Sequence, residues 1–337
     1  MSSSRSKALV TAAPHGGAAT DPVAATMPGP RPGPSAASRL SASAPRARRR
    51  GQGQAFGWLC VTPYLVLLAL FGIGPLAYAC YASIANPGGS QPSGLGGYSR
   101  AFSDFRFLPA VADVAEFMAI YLPMMVVGVI LLALAVQEVG PRLGATMRLM
   151  YVLPGAVVGS ASVLLWYVML EPTLSPFGSQ LRAMGFTTGA EVFQSSNLIW
   201  IFALMAFATG FGQWVVIIFG ALQGVPEDQI EAARLDGCTW WQTARYVKLP
   251  AISKYVLYMV IMTFTAGLQI FVEPQLLYGL ENVGSQWWSL NQLGLYYAFN
   301  NGDFAAASAL SLLLLVVCAA AAGLLIFKAR FFDTEVA

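Results

Sequence analysis

Charge is scarce in this chain. Only 10% of its 337 residues are Asp, Glu, Lys or Arg, against about 25% in soluble domains. Histidine is scarcer: the single one, His15, lies in a low-complexity stretch. Zinc chemistry and His-based acid–base catalysis therefore lack raw material, and neither a metal site nor a catalytic residue is expected. Cys60, Cys80, Cys238 and Cys318 form no CxxC pair, and three of them lie in apolar runs. They read as small buried hydrophobes, not as a disulfide framework. No GxxxxGK[ST] stretch occurs, so the chain has no phosphate-cradling loop of that kind. A net charge of +3 is too small to imply a nucleic-acid partner.

Apolar residues fill the space that charge vacates. They make up 56% of the chain, and the mean hydropathy is +0.61, the balance of an integral membrane protein whose partner is the lipid bilayer. Residues 1–55 differ. Rich in Ala, Pro, Ser, Gly and Arg and carrying Arg48-Arg49-Arg50, they cannot bury enough apolar area to offset their ordering entropy, which predicts a disordered tail. Six segments without Asp, Glu, Lys or Arg follow: 56–85, 117–137, 149–170, 192–226, 255–272 and 304–327. A helix needs about 20 apolar residues to cross the hydrocarbon. The pattern predicts an all-α integral membrane protein with six transmembrane helices in 56–330 and a short C-terminus, 331–337. The Arg cluster and "AYA" at 77–79 mimic a signal peptide, but the apolar run far exceeds the usual 7–15 residues.

Lys and Arg set the orientation. On a six-span map with both termini cytoplasmic, all but Arg100, Arg106 and Arg182 of the 19 Lys and Arg residues fall on the inner side, as the positive-inside rule requires. The connection between spans four and five then faces the cytoplasm. It reads "GVPEDQIEAARLDGCTWWQTARYVKLP" from 224 to 250. Pro226 suits the first position of a helix, and Glu227 and Asp228 suit its first turn. Ile230, Ala233 and Leu235 can form an apolar surface. Gly237 suits a C′ position with positive φ. Thr239, with Gln242 three residues on, predicts a second N-cap and capping box, and Leu249-Pro250 predicts a further break. Small Ala232 and Ala233 beside Glu231 suit a rigid peg that docks in a partner's cleft; a solvated loop is the alternative.

This loop resembles the cytoplasmic signature of permease subunits of binding-protein-dependent ABC importers, which reads EAA, three residues, Gly, nine residues, Ile, any residue, Leu-Pro. Glu231-Ala232-Ala233, Gly237 and Leu249-Pro250 match, with Val247 in place of Ile. "GGYSRAFSDFRFLPAVAD", "GALQGVPEDQIEAA" and "LYYAFNNGDFAAASALSLLLL" resemble the carbohydrate branch, whose members are maltose- and glycerol-phosphate-like. Where that branch has Leu-Thr-Gly-Gly-Pro, this chain has "LLYGLENVGS" at 276–285. The resemblance implies that Glu231, Ala232, Ala233, Asp236, Gly237, Leu249 and Pro250 couple the chain to an ATPase through a coupling helix. It also implies a dimer of ABC ATPase subunits that hydrolyse the ATP, a second homologous permease subunit and an extracytoplasmic solute-binding protein. This chain itself then holds no cofactor.

The substrate pathway is less legible. Gln213 and Gln269 are uncharged hydrogen-bonders suited to hydroxyls. Trp214 can stack on a sugar or simply pack. Glu273, in "IFVEPQLLYG", reads either as a pathway carboxylate or as an interfacial one, and the adjacent Pro274 as a helix break. Trp287 and Trp288 fit an interfacial belt. A proton- or ion-coupled secondary transporter is the competing class, and a glycerol phosphate or a polyol the competing cargo. The charge map has a direct test. In a cysteine-free variant, Gln286→Cys should react with an impermeant thiol reagent added outside intact cells and Gln229→Cys should not; outside labelling of position 229 would overturn the map.

Overall fold

Proline and glycine decide where the helices of this chain begin, bend and end. The computed structural model describes residues 50–85, 94–157, 159–281 and 285–328. The N-terminal tail, apart from residues 50–55, and the C-terminus 331–337 lie outside them. The chain divides into two units, Met1–Pro63 and Tyr64–Ala337. In the first, the described residues are the start of helix α1 (Arg50–Leu68), where Thr62 Oγ1 donates to the Trp58 carbonyl at 2.7 Å. The helix thus starts at Arg50 and not at 56.

In the second unit, a π turn at Ala69–Ile73 leads into α2 (Gly74–Ala85). Pro75 supplies no N–H there, which favours a widened turn. Then come α3 (Gly96–Ser103), α4 (Phe107–Glu138), α5 (Pro141–Val152), α6 (Ser160–Leu170), α7 (Gly178–Ala183), α8 (Gly189–Val192) and α9 (Ser195–Gln223). The connection after α9 holds α10 (Glu227–Leu235), α11 (Trp240–Thr243) and α12 (Leu249–Ala251). Last are α13 (Ser253–Leu268), α14 (Val272–Glu281), α15 (Leu290–Phe299) and α16 (Phe304–Lys328). No strand occurs among the described residues.

Among the described residues, five stretches are long and apolar enough to cross a membrane: Trp58–Ala85, Phe107–Glu138, Ser195–Gln223, Ser253–Leu280 and Phe304–Phe327. The third apolar run, expected as one span over 149–170, is instead two helical pieces, Pro141–Ala156 and Ser160–Leu170, bent by 100°. Pro154 lacks the N–H that would continue the ladder, and Gly159 adopts φ +67°. The count is six spans only if this bent pair is one.

Helices α4 and α9 form the centre of the unit. Phe117, Met125 and Val129 of α4 and Phe202, Val215 and Ile218 of α9 share one buried cluster. Small residues permit the close approach, as in membrane bundles generally. A Cβ at Gly212 would collide with the Tyr151 carbonyl, and one at Gly267 with the Met118 sulfur. Much of the outer surface stays apolar, including Leu131, Trp200 and Val316, as lipid demands. The cysteines depart from expectation: Cys318 is buried, whereas Cys60 and Cys80 are exposed and Cys238 is intermediate. Trp288 is not at an interface but 5% exposed, with its ring edge-on to Phe202 at 4.7 Å and to Phe117 at 6.2 Å. Trp287 packs instead beneath the Arg106 guanidinium, 4.8 Å away.

One ion pair ties the two ends of this unit together. Arg100 Nε and Nη2 donate to Asp303 Oδ2 and Oδ1 at 2.6 and 2.9 Å. Oδ1 also accepts from the Ala306 N–H at 3.0 Å, so Asp303 caps the start of α16. The hydrogen bond from Arg100 holds the Asp303 carboxyl below its ordinary range, against the opposing effect of burial. Asp303→Ala should cost about 1–2 kcal/mol, mostly from the cap because the pair is partly exposed; Asp303→Asn should cost less. Since the folded carboxyl titrates below the unfolded one, this stabilisation is complete above about pH 4 and fades as the pH falls through the lowered value. Thermal unfolding in detergent, followed against pH, checks both.

Candidate functional site

The loop between α9 and α13 folds by local rules. Pro226 is the N-cap of α10 and not its first residue, with φ −57° and ψ 132°; its ring suits that extended geometry. Glu227 and Asp228 occupy the first turn, where the helix dipole favours anions. The helix ends in a Schellman motif. The Cys238 N–H donates to the Ala233 carbonyl at 3.0 Å and the Gly237 N–H to the Arg234 carbonyl at 3.1 Å, with Gly237 at φ +78°, as this motif requires. Thr239 then caps α11: its N–H donates to Gln242 Oε1 at 2.7 Å and its Oγ1 accepts from the Gln242 N–H at 3.4 Å. Beyond α11 the chain widens into a π turn, Ala244–Lys248, and runs on through Leu249 and Pro250. The break falls at Ile252, φ −97° and ψ 8°, two positions later than Leu249-Pro250 suggested.

This geometry sorts the loop residues. Glu231, Ala232, Asp236 and Pro250 are exposed, while Ala233 turns inward and Leu249 packs against the core. Ile230 also packs inward, but Leu235, which the sequence grouped with it, is 89% exposed. Glu231 and Leu235 are four residues apart and share an outward face. The two alanines therefore do different work: only Ala232 belongs to the outward surface.

Four further residues anchor the loop, and no pattern in the sequence paired them. Lys248 is 5% exposed. Its Nζ donates to Gln137 Oε1 at 2.9 Å and lies 3.6 Å from Glu138 Oε1. The same Glu138 oxygen accepts from Trp240 Nε1 at 2.7 Å. Gln137 and Glu138 end α4, so both sides of the α11 turn are fastened to that helix. The one visible hint was a polar pair at the exit of the second apolar run.

At the other level of the chain, Gln213, Trp214, Gln269 and Glu273 all border one cavity of about 500 Å³. Phe117 and Tyr121 of α4 and Thr263 of α13 border it as well. Gln213 stands about 15 Å along the axis from the end of α9 at Gln223, well inside that apolar helix. Trp214 is only 8% exposed, with its ring edge-on to Tyr258 at 5.6 Å. It packs more than it presents a face. Gln269 ends α13, and Glu273 lies in the first turn of α14. Pro274 does not break a helix: the break precedes it, and Pro274 sits in the first turn, where a missing N–H costs nothing. Thr263 is buried, and its hydroxyl meets no hydrogen-bond partner among the described residues. No group of His, Cys, Asp and Glu among the described residues could hold a metal ion.

A family model described as the binding-protein-dependent transport system inner membrane component matches residues 93–330. The chain belongs to that family. As a member it is a multi-pass inner-membrane permease, and it resembles several named transport permeases. The diacetylchitobiose uptake system permease protein NgcF of Streptomyces coelicolor is 25% identical over 74% of this chain and 74% of its own length. The multiple sugar-binding transport system permease protein MsmF of Streptococcus mutans is 24% identical over 76% of this chain and 89% of its own. Among solved structures, a chain of a bacterial ABC transporter involved in the import of the acidic polysaccharide alginate superposes with a TM-score of 0.71. The two are 16% identical, with 84% of this chain and 98% of that one covered. This likeness is one of fold.

For this inner-membrane permease, Gly237 offers a clean test. A Cβ there would meet nothing within 4 Å, so only its left-handed backbone resists substitution, by about 1–2 kcal/mol and more for a β-branched residue. Gly237→Val should cut transport by about ten-fold or more at normal membrane abundance, whereas Gly237→Asn, a residue that tolerates this conformation, should retain most of it. Uptake in complemented cells, with abundance checked by immunoblot, decides; equal activity of the two variants would sink the Schellman argument.

Proposed function

We propose that this chain is the permease subunit of an ABC importer, carrying a sugar or oligosaccharide inward by alternating access driven by a separate ATPase. The observation that carries this reading is the outward face of α10. Glu231, Ala232 and Leu235 stand exposed on a helix that the Schellman turn ends and that leads directly into the α11 turn fastened to α4. An exposed leucine beside a carboxylate on a fixed short helix fits a cleft in a partner subunit better than it fits water. Asp236, Gly237, Leu249 and Pro250 shape and support that peg; Ala233 seats it. In this reading the loop faces the cytoplasm, as do both termini, and the six-span count takes the bent pair as one crossing. The chain performs no covalent chemistry and binds no cofactor. A dimer of ATPase subunits hydrolyses ATP, a second homologous permease completes the pathway and an extracytoplasmic binding protein delivers the solute. The sugar assignment draws on the uptake systems of NgcF and MsmF, which are named for diacetylchitobiose and multiple sugars, and on the amide-lined cavity.

Glu273 at the cavity favours a second reading, an ion-coupled transporter, because a carboxylate in a membrane pathway can relay protons. Uptake into vesicles supplied with ATP, with the proton gradient collapsed by an uncoupler, separates the two. Persistent uptake supports the ABC reading, and uptake lost with the gradient at constant ATP overturns it. Glu231→Lys and Leu235→Asp should each weaken co-purification of the ATPase by about ten-fold or more, the usual effect of reversing or burying a charge at a docking centre.

A further inference from the structure

We infer that the cavity admits polyhydroxylated solutes that are neutral or carry an ammonium group and excludes those carrying a carboxylate or phosphate, with Glu273 as the excluding residue. This rests on the proposed permease reading and narrows it to a charge class. The polar lining is one-sided. Gln213 and Gln269 bring amides that both donate and accept, a match for hydroxyl groups. Tyr121 borders the same space. Thr209 borders it too, but its hydroxyl is already committed to the Met205 carbonyl at 3.0 Å. The buried Thr263 hydroxyl has no protein partner among the described residues and gains one when a solute hydroxyl or a water reaches it. Among the described residues that border the cavity, Glu273 is the sole carboxylate and none is Lys, Arg or His.

Neither described ion pair, Arg100–Asp303 or Lys248–Glu138, includes a cavity residue. Among the described residues, no cation thus pairs with the Glu273 carboxylate at the cavity. Low-dielectric walls focus such a field on whatever enters. An incoming carboxylate or phosphate meets a like charge with no Arg or Lys among the described lining residues to offset it, and like-charge juxtaposition is an effective means of rejecting wrong partners. A glycerol phosphate is excluded on the same ground, whereas a sugar and a polyol, the other cargoes the sequence left open, both remain admitted.

Thiol probes of opposite charge test this without knowledge of the natural cargo. In the cysteine-free assembled importer, Gln213→Cys is treated with trimethylammonioethyl methanethiosulfonate and with sulfonatoethyl methanethiosulfonate. The ratio of the two rates is normalised to that at the exposed Gln229→Cys. The cation should react at least about ten-fold faster after normalisation, and adding Glu273→Gln should bring the ratio near one. A normalised ratio near one before that change, or one unmoved by it, overturns the inference. A second measurement uses the native chain in proteoliposomes with binding protein and internal ATP, comparing a neutral trisaccharide with a uronate trisaccharide. Uronate uptake at a comparable rate overturns the charge inference and leaves the permease reading standing. Absence of ATP-driven uptake of either sugar overturns the permease reading instead, while the labelling ratio still decides the charge of the cavity.

Discussion

One carboxylate holds the loop to the helix that reaches the cavity. Glu138 Oε1 accepts from Trp240 Nε1 at 2.7 Å and lies 3.6 Å from Lys248 Nζ, at the last residue of α4. The Lys248 side chain is nearly buried, and burying an ammonium is costly unless it is paired. Gln137 and Glu138 supply that pairing, so the loop has little freedom to drift from α4. The same helix carries Phe117 and Tyr121 at the cavity, some five turns away. A helix with this loop fastened at one end and the cavity along its length is, in the proposed reading, a physical route by which movement at one reaches the other.

The helices around the cavity approach closely because small residues let them. Gly212 faces the Tyr151 carbonyl and Gly267 the Met118 sulfur, with no room for a Cβ at either. In lipid the hydrophobic effect does not drive helices together, and packing of this kind must. The bend between Ala156 and Ser160 and the interruption between Leu268 and Val272 both open backbone near the cavity. Irregular backbone at membrane depth is tolerated where it lines such a space and not where it faces lipid.

Local chemistry was legible in the sequence. Gly237, Thr239 with Gln242, and the acidic first turn at Glu227 and Asp228 each act within a few residues, so their spacing alone gave the caps. The EAA signature gave the family in the same way. Pro226 was placed one step wrong, and Pro274 was read as the break that precedes it: a proline marks the edge of a helix, but the neighbouring backbone decides which side of that edge it occupies. Leu235 was misread because a nine-residue helix is too short for periodicity to tell an inward leucine from an outward one.

The sequence by itself determined that this chain is a helical membrane protein and how the loop at 224–250 turns. These follow from apolar run length and from hydrogen bonds between near neighbours. Only the tertiary structure decided that Gln213, Trp214, Gln269 and Glu273 share one cavity, that Trp288 belongs to the core, that the third apolar run bends, and that Lys248 finds Gln137. The last pair is 111 residues apart. Nothing in a run of residues records which distant surface it will meet, because that choice is made by the packing of whole helices against one another, where small residues allow contact and buried polar groups must find a partner.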